Sequence, residues 1–595
     1  MLDLVNVDYD SLIPNNVNLS SDKKVMKALE RWHPGYIDWW NKLIPDNFQE
    51  SMVYLRTAVS VDPKGWAKFD YVKMLEYRWG VLLAPAGEDR KIPFGESYGE
   101  PAWQEVPGEY RAMLQRLIVI QGDTEPGSVE QQRSLGLTAP SLYDMRNLFQ
   151  VNVEEGRHLW ALVYLLQKYF GKQGREEADD LLLRSSGSED APRMLGAFNE
   201  ETPDWLSFFM FTYFTDRDGK MQLESLAQSG FDPLSRTCRF MLTEEAHHMF
   251  VGETGVGRVL QATCEAMKNA GITDPYDIDK IRDLNVIDLP TIQKKLNMQY
   301  SLSLDLFGQE VSTNAANAFN AGIKGRYLES RIEDDHKLNN DTYKVRTVED
   351  GKIVENDAPA LTAINMRLRD DYIRDASGGL RRWNKQMAKM GIEFELTLPH
   401  EAFHRQIGVF SAIKANPEGD IISNESWDES KDKWLPTKED GAFIQSLMVP
   451  CYEPGNAEML CDDFEGELGK GFDCTIQNMG DVDPTSLDHE SFYIFVASSY
   501  GSGDLPSTAV SFFDRLVEEK PDLSGVQFAV FGLGDMVFDA TFNQGSERLM
   551  TALIENKASM IGERGIYDTS TGDLPEDVGL PWLQTIMPQL STMAA

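Results

Sequence analysis

Cysteine, histidine and basic residues are all scarce in this chain. Among its 595 residues are five cysteines, Cys238, Cys264, Cys451, Cys461 and Cys474. No two stand at CxxC spacing, so neither a disulfide framework nor a thiolate metal site is indicated. Lys and Arg number 57 against 95 Asp and Glu, a formal net charge of -38. A phosphate backbone is bound through clustered cations, so no nucleic-acid partner is expected. No stretch of about 20 apolar residues occurs, and the N-terminal MLDLVNVDYDSLIPNN lacks the basic flank and apolar run of a secretion signal. The expectation is a cytoplasmic protein without membrane contact, whose acidic surface suits a basic redox partner.

What is present is ordinary globular composition, 42% hydrophobic and 10% aromatic, in a chain long enough for at least two cores. The first 270 residues carry helical periodicity. In SLYDMRNLFQVNVEEGRHLWALVYLLQKYF (141–170), Leu148, Val151, Glu155, His158, Leu162, Leu165 and Tyr169 share one face of a long helix. Residues 233–260 repeat the design with Met241, Glu245, His248, Gly252, Val256 and Val259. WLSFFMFTYFTD (205–216) is apolar on every side until Asp216, as in a helix buried within a bundle. A fourth helix, about 109–125, is expected to end near Glu125 because Pro126 and Gly127 follow. Beyond about 455, short β-branched strands alternate with helices: FDCTIQNM, SFYIFVASSYGSGD, VQFAVFGLGD and ASMIGERGIYD predict a small α/β sheet. The expected domains are 1–450, with a metal bundle over about 109–267, and 451–595.

The spacing ExxH occurs at Glu30/His33, Glu155/His158, Glu244/His247, Glu245/His248, Glu333/His336 and Glu401/His404, although the chain has only eight histidines. Spacing alone therefore does not choose among them. Glu30/His33 runs into Pro34 and Gly35, which predicts a helix end, and Glu333/His336 lies in the charged RIEDDHKLNND. Glu155/His158 and Glu245/His248 have apolar neighbours, and each follows another carboxylate by about 30 residues, Glu125 and Asp216. A carboxylate from each of two helices with ExxH from each of two others is how ferritin-like bundles build a di-metal site. Carboxylate and imidazole donors suit iron and offset much of the charge of two divalent ions. Internal salt bridging is the rival explanation, but Arg157 and Arg239 are too few for four buried carboxylates. The site expected is thus a pair of iron ions held by Glu125, Glu155, His158, Asp216, Glu245 and His248. Aligning EEGRH (154–158) on EEAHH (244–248) selects the register and leaves Glu244 and His247 as supporting groups.

His400-Glu401-Ala402-Phe403-His404 matches the HExxH pattern of zinc hydrolases, with Glu425 as a third-ligand candidate. Pro399 and hydrophilic flanks favour the bundle site over it.

QGDTEPGSVEQQ (121–132), APSLYDMRNLFQVNVEEGRHLWALVYLL (139–166), LTEEAHHMFVGETGVGRVL (242–260) and SLMVPCYEPG resemble the benzoyl-CoA 2,3-epoxidase family, from residue 1 to about 455. The resemblance implies a mainly helical, ferritin-like di-iron monooxygenase that epoxidises an aromatic acyl-CoA with O2 and two electrons from a separate reductase. Its six implied iron ligands are those selected above. Phe208, Phe209, Phe211 and Tyr213 are the expected wall of the ring pocket, and the basic run GLRRWNKQMAKM (379–390) is a candidate for the CoA phosphates. The alternatives are phenylacetyl-CoA or another acyl-CoA as substrate, a non-catalytic iron or electron-transfer protein, and the zinc hydrolase.

ASSYGSGDLP (497–506), FGLGDMVFDATFNQGSERL (531–549) and TGDLPEDVGLPWL (571–583) resemble a short-chain flavodoxin, which implies FMN between Tyr500 and Phe538, with Gly534 and Asp535 beside them. The phosphate loop of that family corresponds to CYEPGNAEML, where Gly455 and Asn456 match while Tyr452 and Pro454 replace hydroxyl side chains. No first strand of this sheet's own precedes that loop, and FIQSLMV (443–449) is the candidate to replace it.

Overall fold

In a computed structural model of the protein, the residues described are 12–43, 79–448, 456–499, 503, 505–534, 536, 541–568 and 575–593. They fall into two units, one ending before residue 450 and one following it.

The first unit is helical. Helix α1 (Lys23–Lys42) starts at Asp22, whose side chain accepts the Val25 N–H, and passes through Pro34 rather than ending there. Helix α2 (Arg111–Gln132) likewise continues through Pro126. Both expected ends are corrected for one reason: a proline removes one helical hydrogen bond, and burial of the surrounding turn offsets that loss. Pro126 and Gly127 are buried, and a side chain at 127 would crowd the Phe198 ring. Helix α3 (Leu142–Tyr169) is capped by Ser141, whose hydroxyl accepts the Asp144 N–H, and α4 (Gly171–Leu183) follows it. Helix α5 (Trp205–Ala227) is capped by Asp204 and buried on nearly every side, as its apolar sequence requires. It turns back into α6 (Asp232–Ala270), which ends at the left-handed Gly271. Gly252 and Gly255 permit the close approach of α5 to α6: a Cβ at either would collide with the Phe209–Tyr213 turn.

Helix α7 (Leu289–Asp305) lies on α5, a half-buried antiparallel hairpin follows (β1, Thr342–Glu349; β2, Lys352–Pro359), and α8 (Ile364–Met390) packs on α5 and α6. Helix α9 (Lys438–Ser446) closes the unit with a capping box of Thr437 and Asp440. This corrects the expectation for FIQSLMV: residues 443–446 are helical, and Val449 lies outside the described residues.

The second unit begins with α10 (Asn456–Leu468). FDCTIQNM forms no strand over its described residues, whereas β3 (Phe492–Ser498), β4 (Gln527–Gly534), β5 (Ser559–Met560) and β6 (Gly565–Asp568) form a parallel sheet. Strand β4 is central, with β3 on one side and β5 and β6 on the other. Alternation sets its faces: Phe528 and Val530 meet α11 (Ser507–Glu519) and α12 (Gln544–Glu555), while Ala529, Phe531 and Leu533 meet α10 and α13 (Pro575–Met593). Among the described residues, no strand of this unit precedes Phe492.

Candidate metal centre

The donors come from α2, α3, α5 and α6. Glu155 and His158 lie three residues apart on α3, and Glu245 and His248 repeat that spacing on α6, so each pair projects from one helix face. Glu125 on α2 and Asp216 on α5 bring the remaining carboxylates. All six side chains are buried.

Two clusters of donor atoms result, Glu125–Glu155–His158 and Glu155–Glu245–His248, and Glu155 belongs to both. His158 Nδ1 is 3.3 Å from Glu125 Oε2, 3.4 Å from Glu155 Oε2 and 3.9 Å from Glu245 Oε1. His248 Nδ1 is 3.7 Å from each of Glu155 Oε1, Asp216 Oδ2 and Glu245 Oε2. Thus Asp216, outside both clusters, still faces the second histidine. Oxygen and nitrogen donors about 2.0–2.2 Å from one ion stand roughly 3–4 Å apart, so these spacings would suit divalent cations, with Glu155 common to the two clusters. Asp216 Oδ2, Glu245 Oε2 and His248 Nδ1 are moreover buried without any hydrogen-bond partner. Such atoms are stabilised by a cation.

The outer imidazole nitrogens cross over. His158 Nε2 on α3 lies 3.0 Å from Glu244 Oε2 on α6, and His248 Nε2 on α6 lies 3.0 Å from Glu154 Oε2 on α3. Each carboxylate can accept the Nε2–H of the opposite histidine, which leaves Nδ1 free to bind metal. Arg157 ties the pair together, bonded to Glu244 and 3.8 Å from Glu154. Glu154 was not anticipated from sequence, although the doubled glutamates of EEGRH and EEAHH carried the signal. Arg239 turns away to the Pro85 carbonyl, so it offers the carboxylates none of the pairing its sequence position suggested. Gln121 Nε2 donates to Glu125 Oε1 at 2.9 Å.

Burial, reinforced by neighbouring carboxylates, raises Glu155 and Glu245 well above the usual carboxylate range. Burial likewise pushes Asp216 up to about 7 and Glu154 up to about 8. On Glu125 the same burial is outweighed by hydrogen bonding to His158 and its charge, and on Glu244 by Arg157 and His158, which hold that carboxyl at about 2. So many carboxylates around one guanidinium repel one another unless cations intervene.

The other ExxH sites are different. His400–His404 is not helical, which corrects the zinc-site reading: HExxH requires its histidines one turn apart on a helix face. Glu401 instead pairs with Arg346, the His400 ring accepts the Ala402 N–H, and His404 stacks on Trp427. Glu425 is exposed at a helix start. His336 turns to Glu329, itself paired with Arg326, while Glu333 is exposed.

Phe208, Phe209, Phe211 and Tyr213 fill helix–helix seams. Phe209 packs on Gly255 and edges Phe208, Phe211 meets Phe198, and Tyr213 lies against Trp383 and donates to the Ala376 carbonyl. On α8, Arg381, Lys385 and Lys389 form an exposed stripe, while Arg382 pairs with Glu253. Of the flavin candidates, Gly455, Tyr500, Asp535 and Phe538 lie outside the described residues. Gly534 ends β4 against Asn543, and Asn456 opens α10.

Benzoyl-CoA oxygenase component B of Aromatoleum evansii is 60% identical over 449 residues, 76% of this chain and 94% of that protein. The chain belongs to the benzoyl-CoA oxygenase component B family. Its C-terminal part matches the flavodoxin family over residues 453–582. There it is 33% identical to the protein MioC of Escherichia coli K12 over 97 residues, 16% of this chain and 65% of that protein. It is 32% identical to the NADPH–cytochrome P450 reductase of Rattus norvegicus over 123 residues, 21% of this chain and 18% of that protein. This chain is therefore an oxygenase component carrying a flavodoxin domain, and among its described residues no helix is long and apolar enough to cross a membrane.

Proposed function

We propose that this oxygenase component epoxidises the 2,3 bond of the aromatic ring of benzoyl-CoA at a pair of iron ions, using O2 and two electrons from a reductase. The observation that carries the reading is the shared carboxylate: Glu155 stands in both donor clusters, with unpartnered buried atoms of Asp216, Glu245 and His248 turned to the same space. Glu125, Glu155, His158, Asp216, Glu245 and His248 hold the iron. Iron bound there would supply activation of O2, one oxygen atom going to the ring and the other leaving as water with the two electrons and two protons.

The chain's own residues do the rest. Glu154 and Glu244 keep the His248 and His158 Nε2 protons outward, so that Nδ1 of each ring is a lone-pair donor. Arg157 offsets the charge of those two carboxylates. Phe208, Phe209, Phe211 and Tyr213 pack into the helix seams leading to Asp216 and so help keep water from the interior of the bundle. The exposed Arg381, Lys385 and Lys389 are the proposed contacts for the CoA phosphates. The flavodoxin domain is the candidate electron carrier, with Gly455, Asn456, Tyr500, Gly534, Asp535 and Phe538 as candidate FMN contacts. The helical residues 443–446 of FIQSLMV and the Tyr452 and Pro454 of the phosphate loop weigh against FMN, and bound flavin in the purified chain is the observation that would support it. A partner component completes the supply, as the relative's being a component B leads one to expect.

The deciding experiment loads the purified chain with iron anaerobically, supplies a reductant, and follows O2 uptake with benzoyl-CoA, phenylacetyl-CoA and no thioester. Uptake that depends on benzoyl-CoA and yields a ring epoxide is the expected result. Uptake indifferent to the thioester overturns the reading in favour of simple iron oxidation.

A further inference from the structure

Against the outer face of α3, opposite the metal donors, lies a continuous aromatic body. Trp160 of α3 stacks on Trp79 with centroids 4.4 Å apart, and Tyr36 of α1 meets Trp160 at 5.4 Å, Trp40 at 6.1 Å and Trp39 at 5.5 Å. Trp39 and Trp40 meet edge to face at 6.1 Å. The inner end of this body touches the metal-bearing backbone. Position 156, next to Glu155, is glycine, and the Tyr36 hydroxyl and the Trp40 ring occupy the space that any side chain there would need. The outer end is Trp39, which retains 6% exposure.

Packing alone does not account for the choice of residues. The indole N–H of Trp79 and Nε2 of the adjacent His33 are buried with no hydrogen-bond partner, and the Tyr36 hydroxyl and the Trp160 N–H have at most each other. Phe in place of Tyr36 would pack nearly as well and leave no hydroxyl to satisfy, and each indole brings a buried N–H that an all-hydrocarbon side chain would not. What Trp and Tyr add over Phe and Leu is a ring that gives up one electron readily.

We propose that this aromatic body drains oxidising equivalents from the metal centre to the protein surface when O2 is reduced without substrate. The inference rests on the reading that O2 reacts at the Glu155-centred site. An oxidising equivalent derived from O2 takes one electron from Trp40 or Trp160, so the site is reduced by one electron and the indole becomes a cation radical that keeps its N–H proton. The vacancy passes between touching rings, each reduced by the next, as far as Trp39. There a soluble thiol supplies the electron; two such events convert two thiols into one disulfide and release two protons.

The test uses the full, iron-loaded, reduced chain mixed with O2 without thioester. Samples are freeze-quenched for electron paramagnetic resonance and digested for mass mapping of oxygen adducts. The expected result is a tryptophan radical with adducts at Trp39, Trp79 and Trp160 that a metal-free control lacks, both suppressed by added thiol. Trp39→Phe, at the rim, should trap the radical inside and raise adducts at Trp40 and Trp160 several-fold. Trp160→Phe should lower the radical yield and move damage to the 155–158 segment. If either variant fails to fold by circular dichroism, the wild-type adduct map decides. O2 uptake with no radical and no adducts above the control overturns the relay but leaves the oxygenase reading standing. No iron-dependent O2 uptake at all overturns both.

Discussion

EEGRH on α3 and EEAHH on α6 present the same donors to the same space, yet their histidines sit in opposite surroundings. Burial would lower both. On His158 it is overcome by hydrogen bonds to Glu125, Glu155 and Glu244, so that the imidazole holds its proton well above the ordinary range. On His248 burial wins and takes the ring down to about 4. The difference follows first from Nδ1, which on His158 lies 3.3 and 3.4 Å from Glu125 and Glu155 but on His248 lies 3.7 Å from its carboxylates, and second from Arg157, which stands where the second copy has His247. Arg157 pairs with Glu244, the partner of His158, and keeps that carboxyl ionised; Glu154, the partner of His248, is pushed up by burial and by Glu244. A duplicated arrangement of candidate donors thus becomes two unequal ones, with Glu155 common to both clusters.

Removing the shared residue should have the largest effect. Glu155→Ala is expected to abolish binding of both irons and turnover while most helix content survives, read by elemental analysis and far-ultraviolet circular dichroism. Retention of one full-occupancy iron would mean that the halves are independent and Glu155 does not bridge them.

Next come the outer carboxylates, which separate the halves. Glu244→Gln and Glu154→Gln should each weaken iron binding by roughly 10–100-fold, the usual consequence of losing a histidine's carboxylate partner. In metal-free protein they should part company. Glu244→Gln leaves the buried Arg157 guanidinium short of its strongest partner and should cost about 3–5 kcal/mol in unfolding free energy, whereas Glu154→Gln replaces a carboxyl largely neutral at pH 7 and should cost about 1 kcal/mol or less. Equal losses in urea titrations would remove the asymmetry argued here.

The pH dependence is smaller and more diagnostic. Asp216, raised from about 4 to about 7, and Glu154, raised to about 8, hold protons in the fold that the unfolded chain has released. Where the folded state binds more protons, stability falls as pH rises, here between about pH 4 and pH 8 and by at most about 1.4 kcal/mol per pH unit for each group. Iron should flatten that slope because it stabilises the ionised carboxylates. The gain in unfolding midpoint on iron loading is therefore expected to grow from pH 5 to pH 8; a constant gain would mean that these carboxyls do not titrate in the metal-free site.

Much of the candidate site was legible in the sequence because its donor residues obey helix spacing. Glu155/His158 and Glu245/His248 are set by local geometry, and the apolar stripes around them announced burial. Pro126 misled, since a rule about isolated helices was overridden by packing of α2 against Phe198. FIQSLMV misled in the other direction: an apolar run of that length suits strand or helix, and the Thr437–Asp440 capping box decided for helix. The crossed pairing of Glu154 with His248 is a contact between residues 94 positions apart, which periodicity within one helix does not encode. The sheet of the second unit was legible where a strand is apolar on both faces, as in β4, whereas FDCTIQNM alternates and packs Phe472 and Cys474 on the core without joining the sheet.

The smallest expected effect tests the histidines outside the bundle. His400 obeys the same three- and four-residue arithmetic as the ligands, but it sits in an irregular segment where its Nδ1 accepts the Ala402 N–H and Glu401 is committed to Arg346. His400→Ala removes one local hydrogen bond, so unfolding should shift by about 1 kcal/mol at most, with iron content and thioester-dependent O2 uptake unchanged. Identical spacing then has different consequences because only in α3 and α6 do the helices turn both residues toward carboxylates from other helices. If His400→Ala instead lost metal along with activity, spacing would have outranked helical context, and the assignment of the centre to Glu155 and its neighbours would fall.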